Sequence, residues 1–258
     1  MIRSFMSRLI RQTPLKWHVS NKVSRLDVIQ HAINAIGAVR YLEIGVAEGW
    51  CFCGVRVTER IGVDPIPPAP AVVAQLQAPG STYAARTSDD FFALDAPRLL
   101  SHGVDVVFID GLHTYGQSYR DCLNALRYLN PGGVIFMHDC LPASEAEARV
   151  AASYDEAGRV NGPGWNGWWT GDGWKAIVAL RSLHEDVDAC VLNCDHGLGM
   201  VTRRPGRRAL SYSAAQIETL SYQDLTRDPA RLLGLQMPGH LFATIAALRA
   251  ERAGRCAS

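Results

Sequence analysis

The sequence predicts an α/β fold, a mostly parallel sheet with helices on both faces, and three observations carry that prediction. Two short apolar runs without alternation flank a helical stretch. One is Val104–Ile109 and the other ends at His138-Asp139, the look of strands covered on both faces. An acid, Asp110 or Asp139, stands just past the end of each. A third apolar run from Val39 ends in an acid and a glycine turn, Glu43-Ile44-Gly45-x3-Gly49. Neighbouring parallel strands put their carboxyl ends side by side, so Asp110 and Asp139 should meet at the rim where open α/β sheets bind ligands. With His113 and His138 beside them, they form a site for a hard divalent cation or for acid/base chemistry.

The 258 residues, 48% hydrophobic and 20% charged, suffice for one large core, so a single α/β domain with decorations is the economical reading. A net charge of +1 gives no global field toward nucleic acid or an acidic partner, and function must be sought in local sites. Seven cysteines, an odd number scattered through apolar segments, read as reduced core thiols and place the protein in the cytoplasm. No run approaches the roughly 18 apolar residues of a membrane span, and the first residues lack the long apolar stretch and cleavage site of a secretory signal.

Residues 1–25 carry six basic residues and no acid, with Phe5, Met6, Leu9 and Ile10 at near-helical spacing. Such a helix packs on its own domain or across a dimer, with an anionic lipid surface as the alternative. A second helix, Leu26 to Ile36, stops at Gly37 and leads into the first strand. The turn after that strand suits a nucleotide, because glycine lets the backbone approach a ligand and the acid reaches its polar groups. Its spacing is not the G-x-G-x-x-G of dinucleotide folds, which disfavours a nicotinamide oxidoreductase. A second strand, Arg60 to Asp64, ends in a carboxylate that can accept both ribose hydroxyls. A proline-rich loop, a helix around Val72–Leu76 and a third strand, Ser81–Ala85, follow. Thr87-Ser88-Asp89-Asp90 can cap the next helix or touch an adenine amino group. The central stretch then runs strand, turn with Asp110 and His113, helix, a turn at Asn130-Pro131-Gly132-Gly133, and strand.

The ordered set Leu42-Glu43-Ile44-Gly45-x3-Gly49, Asp64, Ser88-Asp89, Phe108-Ile109-Asp110 and Gly132-Gly133 resembles the class I S-adenosylmethionine-dependent methyltransferases over roughly residues 38–205. Asp110-Gly111-Leu112-His113 with His138-Asp139 resembles their metal-dependent O-methyltransferase branch, which includes catechol and macrolide-sugar enzymes. The resemblance implies a Rossmann-like seven-stranded sheet with one antiparallel strand. It implies donor contacts from Glu43, Gly45, Gly49, Asp64, Ser88, Asp89 and Asp110. It also implies magnesium or another divalent cation held by Asp110 and Asp139, with His138 as a further candidate, and His113 as general base. His138 and Cys140 flank Asp139 where relatives carry Glu-Asp or Asp-Asn, which leaves the third ligand open.

Residues 143–173 lose the regular pattern and hold a Gly-rich stretch with Trp165, Trp168 and Trp169, closely followed by Trp174. An insertion just past the metal site reads as a lid, with two indoles packing it down and the others meeting substrate or a second subunit. Lys175–Leu183 is a helix, and Ala189–Asn193 with Gly199–Thr202 make the closing hairpin, with Asp195 and His196 as turn residues. Residues 206–258 form a helical extension with helices near Ser213–Leu220, Tyr222–Leu233 and Leu241–Arg252, and the Arg203–Arg208 cluster reads as a solvated loop. The expected protein is a homodimeric enzyme that methylates a hydroxyl, with a saccharide such as a mannoside favoured over a phenol. A non-catalytic donor-binding protein is the alternative.

Overall fold

The computed structural model describes residues 23–163, 165–204 and 208–256, so the basic segment 1–22 lies outside the described residues. Helix α1 (Arg25–Ile36) opens with a capping box from Ser24 and Asp27 and ends on Gly37 in the left-handed region. Strand β1 (Arg40–Ile44) leads through the Gly45–Gly49 turn into α2 (Trp50–Gly54), and β2 (Glu59–Asp64) follows. Helix α3 (Pro70–Gln75), β3 (Ser81–Ala85) and α4 (Ser88–Asp90) come next; α4 passes through a π-helical turn (Phe91–Asp95) into α5 (Ala96–Leu99). The centre is β4 (Val104–Ile109), α6 (Tyr115–Tyr128) and β5 (Leu129–Met137).

The lid segment contains α7 (Tyr154–Asn161), and the chain continues through α8 (Trp174–Leu183), β6 (Val187–Leu192) and β7 (Leu198–Arg203). Four helices close it: α9 (Ala214–Thr219), α10 (Tyr222–Arg227), α11 (Pro229–Leu233) and α12 (His240–Cys256). The seven strands run β3-β2-β1-β4-β5-β7-β6. The pairs through β5 are parallel, and β7 is antiparallel to both β5 and β6. This is a Rossmann-like sheet with one reversed strand.

Two apolar layers sandwich the sheet. One joins β4, α6, α8 and the helices after β7, centred on Val107, Ile135, Ile177 and Val201. The other joins α1 and α12 to the opposite face through Ile29, Tyr41, Phe108 and Phe136. Because β1, β4 and β5 are covered on both sides, their apolar residues run without alternation.

Some elements differ from the sequence reading. Asn130-Pro131-Gly132-Gly133 does not separate a helix from a strand. It belongs to β5, whose pairing begins at Val104↔Leu129 and is offset by a bulge before Val106↔Val134. Helix α7 arises inside the expected irregular lid: Ser153 accepts from the Glu156 backbone N–H, and Asp155 and Glu156 favour the first turn. The expected helix over Tyr222–Leu233 is two, because Pro229 starts a new helix with Asp228 as its cap. The arginine cluster is paired where described, with Arg203, Arg204 and Arg208 meeting Asp186, Glu251 and Glu185.

Candidate active site

Parallel register brings the ends of β1, β4 and β5 into line, with Ile44↔Ile109 and Ile109↔Met137 as the last pairs. The residues that follow, Asp110, His138 and Asp139, therefore share one rim. His138 Nδ1 lies 3.2 Å from Asp110 Oδ1 and 3.3 Å from Asp139 Oδ1. His113, on the turn after Asp110, places Nε2 3.5 Å from Asp110 Oδ1 and Nδ1 3.4 Å from Asp139 Oδ2. One ligand atom each from Asp110, His113 and Asp139 lies within 4.8 Å of the other two. A cavity of about 10 Å³ bordered by Asp110, His113, His138 and Thr170 leaves room for a single small occupant.

Burial opposes charge on the Asp110 carboxyl, but His138 and His113 beside it hold its pKa far below the ordinary range. Burial likewise works against charge on His113, which Asp110 and Asp139 outweigh, so its pKa lies above the ordinary value. The Trp169 carbonyl sits 2.8 Å from His113 Nδ1. A carbonyl only accepts, so Nδ1 carries the hydrogen and Nε2 is the atom that exchanges a proton.

The lid fixes this geometry. Thr170 and Gly171 donate backbone N–H groups to the Glu147 carbonyl, and Tyr115 N–H donates to Asp172 Oδ1 at 2.7 Å. Gly171 has φ +58°, and a side chain there would meet the His113 carbonyl oxygen at 1.9 Å, so only glycine fits. Trp169 and Trp174 are buried, whereas Trp168 is 55% exposed.

Two residues that the sequence reading left in structural roles enter the site. Asp195, in the β6–β7 turn, lies 3.5 Å from His138 Nε2. It accepts the Arg25 backbone N–H at 2.6 Å, so it also serves the first turn of α1. Burial acts to raise its pKa, but His138 and Arg25 hold it down to about 2. Arg25 brings Nη1 to 2.9 Å from His138 Nε2. A guanidinium only donates, so in a neutral His138 ring Nε2 accepts and Nδ1 points its hydrogen at Asp110 and Asp139. The turn is placed by Cys140 and Leu141, whose N–H groups donate to the Gly197 and His196 carbonyls. A hairpin turn at the carboxyl edge was the available signal for Asp195, and nothing in the sequence marks Arg25.

Further along the rim, Asp64 ends β2 and its two oxygens accept the Ala47 and Ile66 N–H groups, both at 2.9 Å. Gly45 (φ +85°) lies where a side chain would meet the Asp110 carbonyl oxygen at 2.1 Å, and one at Gly49 would meet Val72 at 2.3 Å. Both glycines are thus fixed by packing of the rim itself. Glu43 is buried against the Tyr41 hydroxyl, and burial pushes its pKa up to about 8. Thr87, not Ser88, caps the next helix. Ser88 instead accepts from the Gln117 side chain at 3.0 Å. Asp89 pairs with Arg120 at 3.2 Å and also accepts from Gln117. Gln117 further donates to Asp121 at 2.9 Å, a buried carboxyl raised to about 6 by burial.

Residues 42–140 match the family described as Methyltransferase domain, a segment reaching from β1 to the residue after Asp139. No curated protein matches the sequence. Solved structures with a similar course include an O-methyltransferase from Bacillus cereus in complex with SAH, at 15% identity and TM-score 0.47, covering 79% of this chain and 89% of that one. The SAH-bound methyltransferase PaMTH1 of Podospora anserina has 16% identity and TM-score 0.47, with 79% and 87% covered. The O-methyltransferase TomG of Streptomyces achromogenes, of tomaymycin synthesis and in complex with SAM, has 16% identity and TM-score 0.45, with 79% and 96% covered. At these scores none of the three bears on acceptor or metal. The family match covers 99 of the 258 residues and is to a methyltransferase domain.

Proposed function

We propose that the enzyme methylates a sugar hydroxyl, such as that of a mannoside, with the help of a divalent cation, magnesium first. The observation that carries the metal is the convergence of Asp110, His113 and Asp139, whose ligand atoms lie within 4.8 Å of one another. Two carboxylates bordered by imidazoles suit a hard cation, which takes oxygen ligands and keeps some waters. Asp110 and Asp139 would hold it.

When bound, the cation lowers the pKa of an acceptor hydroxyl, and S-adenosylmethionine supplies a methyl on a sulfonium leaving group. His113 takes the hydroxyl proton at Nε2, with the ring held by the Trp169 carbonyl. Arg25 and Asp195 keep His138 in place behind the carboxylates. The lid backbone over His113 limits water at the reacting atoms. Asp64 and the Gly45–Gly49 turn, with Ser88 and Asp89 further along the rim, are assigned to the donor. Each Asp64 oxygen has used one lone pair on a backbone N–H and keeps another for a ribose hydroxyl.

The sugar preference is supported by the indole-rich lid, of which Trp168 is half exposed. A homodimer belongs to the same reading, supported by the exposed Met237 and Phe242 before and within α12. Six free cysteines among the described residues support a reducing, cytoplasmic setting, and no helix there is long and apolar enough to cross a membrane. The deciding experiment offers mannosides, macrolides and catechols with labelled methyl donor, with and without EDTA. Turnover of mannosides that EDTA stops is expected, and exclusive turnover of catechols would refute the sugar.

A further inference from the structure

Beside the metal cluster lies a second, larger cavity of about 370 Å³, bounded by Val23, Ser24, Arg25, Trp50, Asp195 and His196. We infer that this cavity is the acceptor subsite and takes a short uncharged glycoside, with Trp50 as its aromatic wall, Trp168 stacked on the His196 that borders it, and Arg25, Asp195 and His196 as its hydroxyl readers. The inference rests on the reading of the enzyme as a sugar O-methyltransferase and assigns the residues that would choose the acceptor.

Position comes first. Arg25 and Asp195 line the cavity and both touch His138 Nε2, at 2.9 and 3.5 Å, while the other nitrogen of that ring faces Asp110 and Asp139. One imidazole therefore separates the cavity from the reacting centre. The volume lies at the low end of the ~300–1,000 Å³ common for small-ligand sites, which suits a short glycoside rather than a macrolide.

The walls come second. Trp50 is 52% exposed and Trp168 55%, while Trp169 and Trp174 are buried, so the first two indoles are not part of the core. The Arg25 guanidinium lies 4.9 Å from the centre of the Trp50 ring. Trp168 stacks on His196 at 4.6 Å, with the planes 30° apart. Each exposed indole is thus held by a polar side chain that borders the cavity. An indole face and planar hydrogen-bonding groups together match a sugar ring, which offers C–H groups on one face and hydroxyls around its edge.

Charge decides which sugar. Arg25 and Asp195 are an ion pair, so no net charge is left for a phosphate or carboxylate, and an uncharged polyol is the better fit. The readers are also rigidly placed. Asp195 and His196 have φ of 42° and 58°, a left-handed pair of non-glycine residues in a turn whose His196 and Gly197 carbonyls accept the Leu141 and Cys140 N–H groups.

The test measures KM for donor and acceptor separately in wild type, Trp50→Ala, Trp50→Phe, Trp168→Ala and Asp195→Asn, using methyl mannoside and short mannosides as acceptors and calorimetry with S-adenosylhomocysteine. Both Trp→Ala variants should raise the acceptor KM about tenfold or more and leave the donor KM and S-adenosylhomocysteine affinity unchanged. Trp50→Phe should recover much of the loss, because a ring face remains. Because the two indoles are half exposed, melting temperatures should stay near wild type. An unchanged acceptor KM in both Trp→Ala variants would overturn the subsite while leaving sugar methylation standing. A rise in donor KM alone would assign the cavity to the donor and overturn it equally. A wild-type enzyme that turns over no mannoside but does methylate catechols would instead defeat the underlying sugar reading.

Discussion

Arg25 Nη1 and His138 Nε2 meet at 2.9 Å across 113 residues of chain, so the first described helix holds the imidazole that lies between the two carboxylates. Truncating Arg25 to Ala leaves His138 Nε2 without its donor and removes the guanidinium from Asp195, which keeps the backbone N–H of residue 25. Stability should drop by about 1–3 kcal/mol, and turnover by at least about tenfold, read from denaturant melts and kcat. Arg25→Lys should recover only part of this, since an ammonium cannot reproduce the planar fork that serves both partners. A fully active Arg25→Ala enzyme would remove the pair from the site.

The metal reading predicts that EDTA abolishes turnover and added magnesium restores it. Asp110→Asn and Asp139→Asn should each lose activity while binding S-adenosylhomocysteine normally in calorimetry. Full activity in EDTA would end the metal mechanism.

His113 differs in what it should spare. His113→Ala should keep binding of S-adenosylhomocysteine and of the divalent cation but lose kcat by about 10²–10⁴-fold, the usual weight of a general base. If kcat were unaltered, proton removal would have to be assigned elsewhere.

At the donor end the two expected contacts should behave differently. Asp64→Ala should weaken S-adenosylhomocysteine binding by about tenfold or more without changing metal dependence. Gly45→Ala puts a Cβ 2.1 Å from the Asp110 carbonyl oxygen at a φ of +85°, so it should destabilise the whole rim by at least ~2 kcal/mol. Thermal melts separate the outcomes, with Asp64→Ala near wild type and Gly45→Ala well below it.

Asp121 gives a pH signature. Burial raises its carboxyl from 3.8 to about 6, so the folded protein binds its proton more tightly than the unfolded chain does. The associated stability is present below about pH 4 and is lost as pH rises through about 6, amounting to about 3 kcal/mol at most. Asp121→Asn should flatten that fall, so denaturant melts at pH 4.5 and 7.5 should show a smaller difference than in wild type. An identical pH slope would mean the carboxyl is ionised in the fold.

Much of this molecule was legible in advance. Strands buried on both faces must be apolar throughout, which marked β1, β4 and β5, and the acids past their ends marked the rim. Parallel pairing then requires Asp110 and Asp139 to be neighbours, and His138 bridges them at 3.2 and 3.3 Å. The lid helix was less visible, because its Ser153 cap and acidic first turn sit in a Gly- and Trp-rich insertion whose apolar residues follow no single face.

What the sequence determined alone is local and periodic: the α/β alternation, the strand-end acids, the His113 turn, and a cap within Thr87–Asp90. Only the tertiary structure decided that Thr87 does the capping, that Gly45 is held by the Asp110 carbonyl, and that Asp195 and Arg25 close on His138. Those contacts join residues far apart in sequence. They depend on β7 running antiparallel, which brings the β6–β7 turn to the carboxyl edge, and on α1 packing its apolar face against the sheet beside it. A hydrogen bond between distant side chains leaves no periodic trace in the sequence, so it becomes visible only when the packing of the whole sheet is fixed.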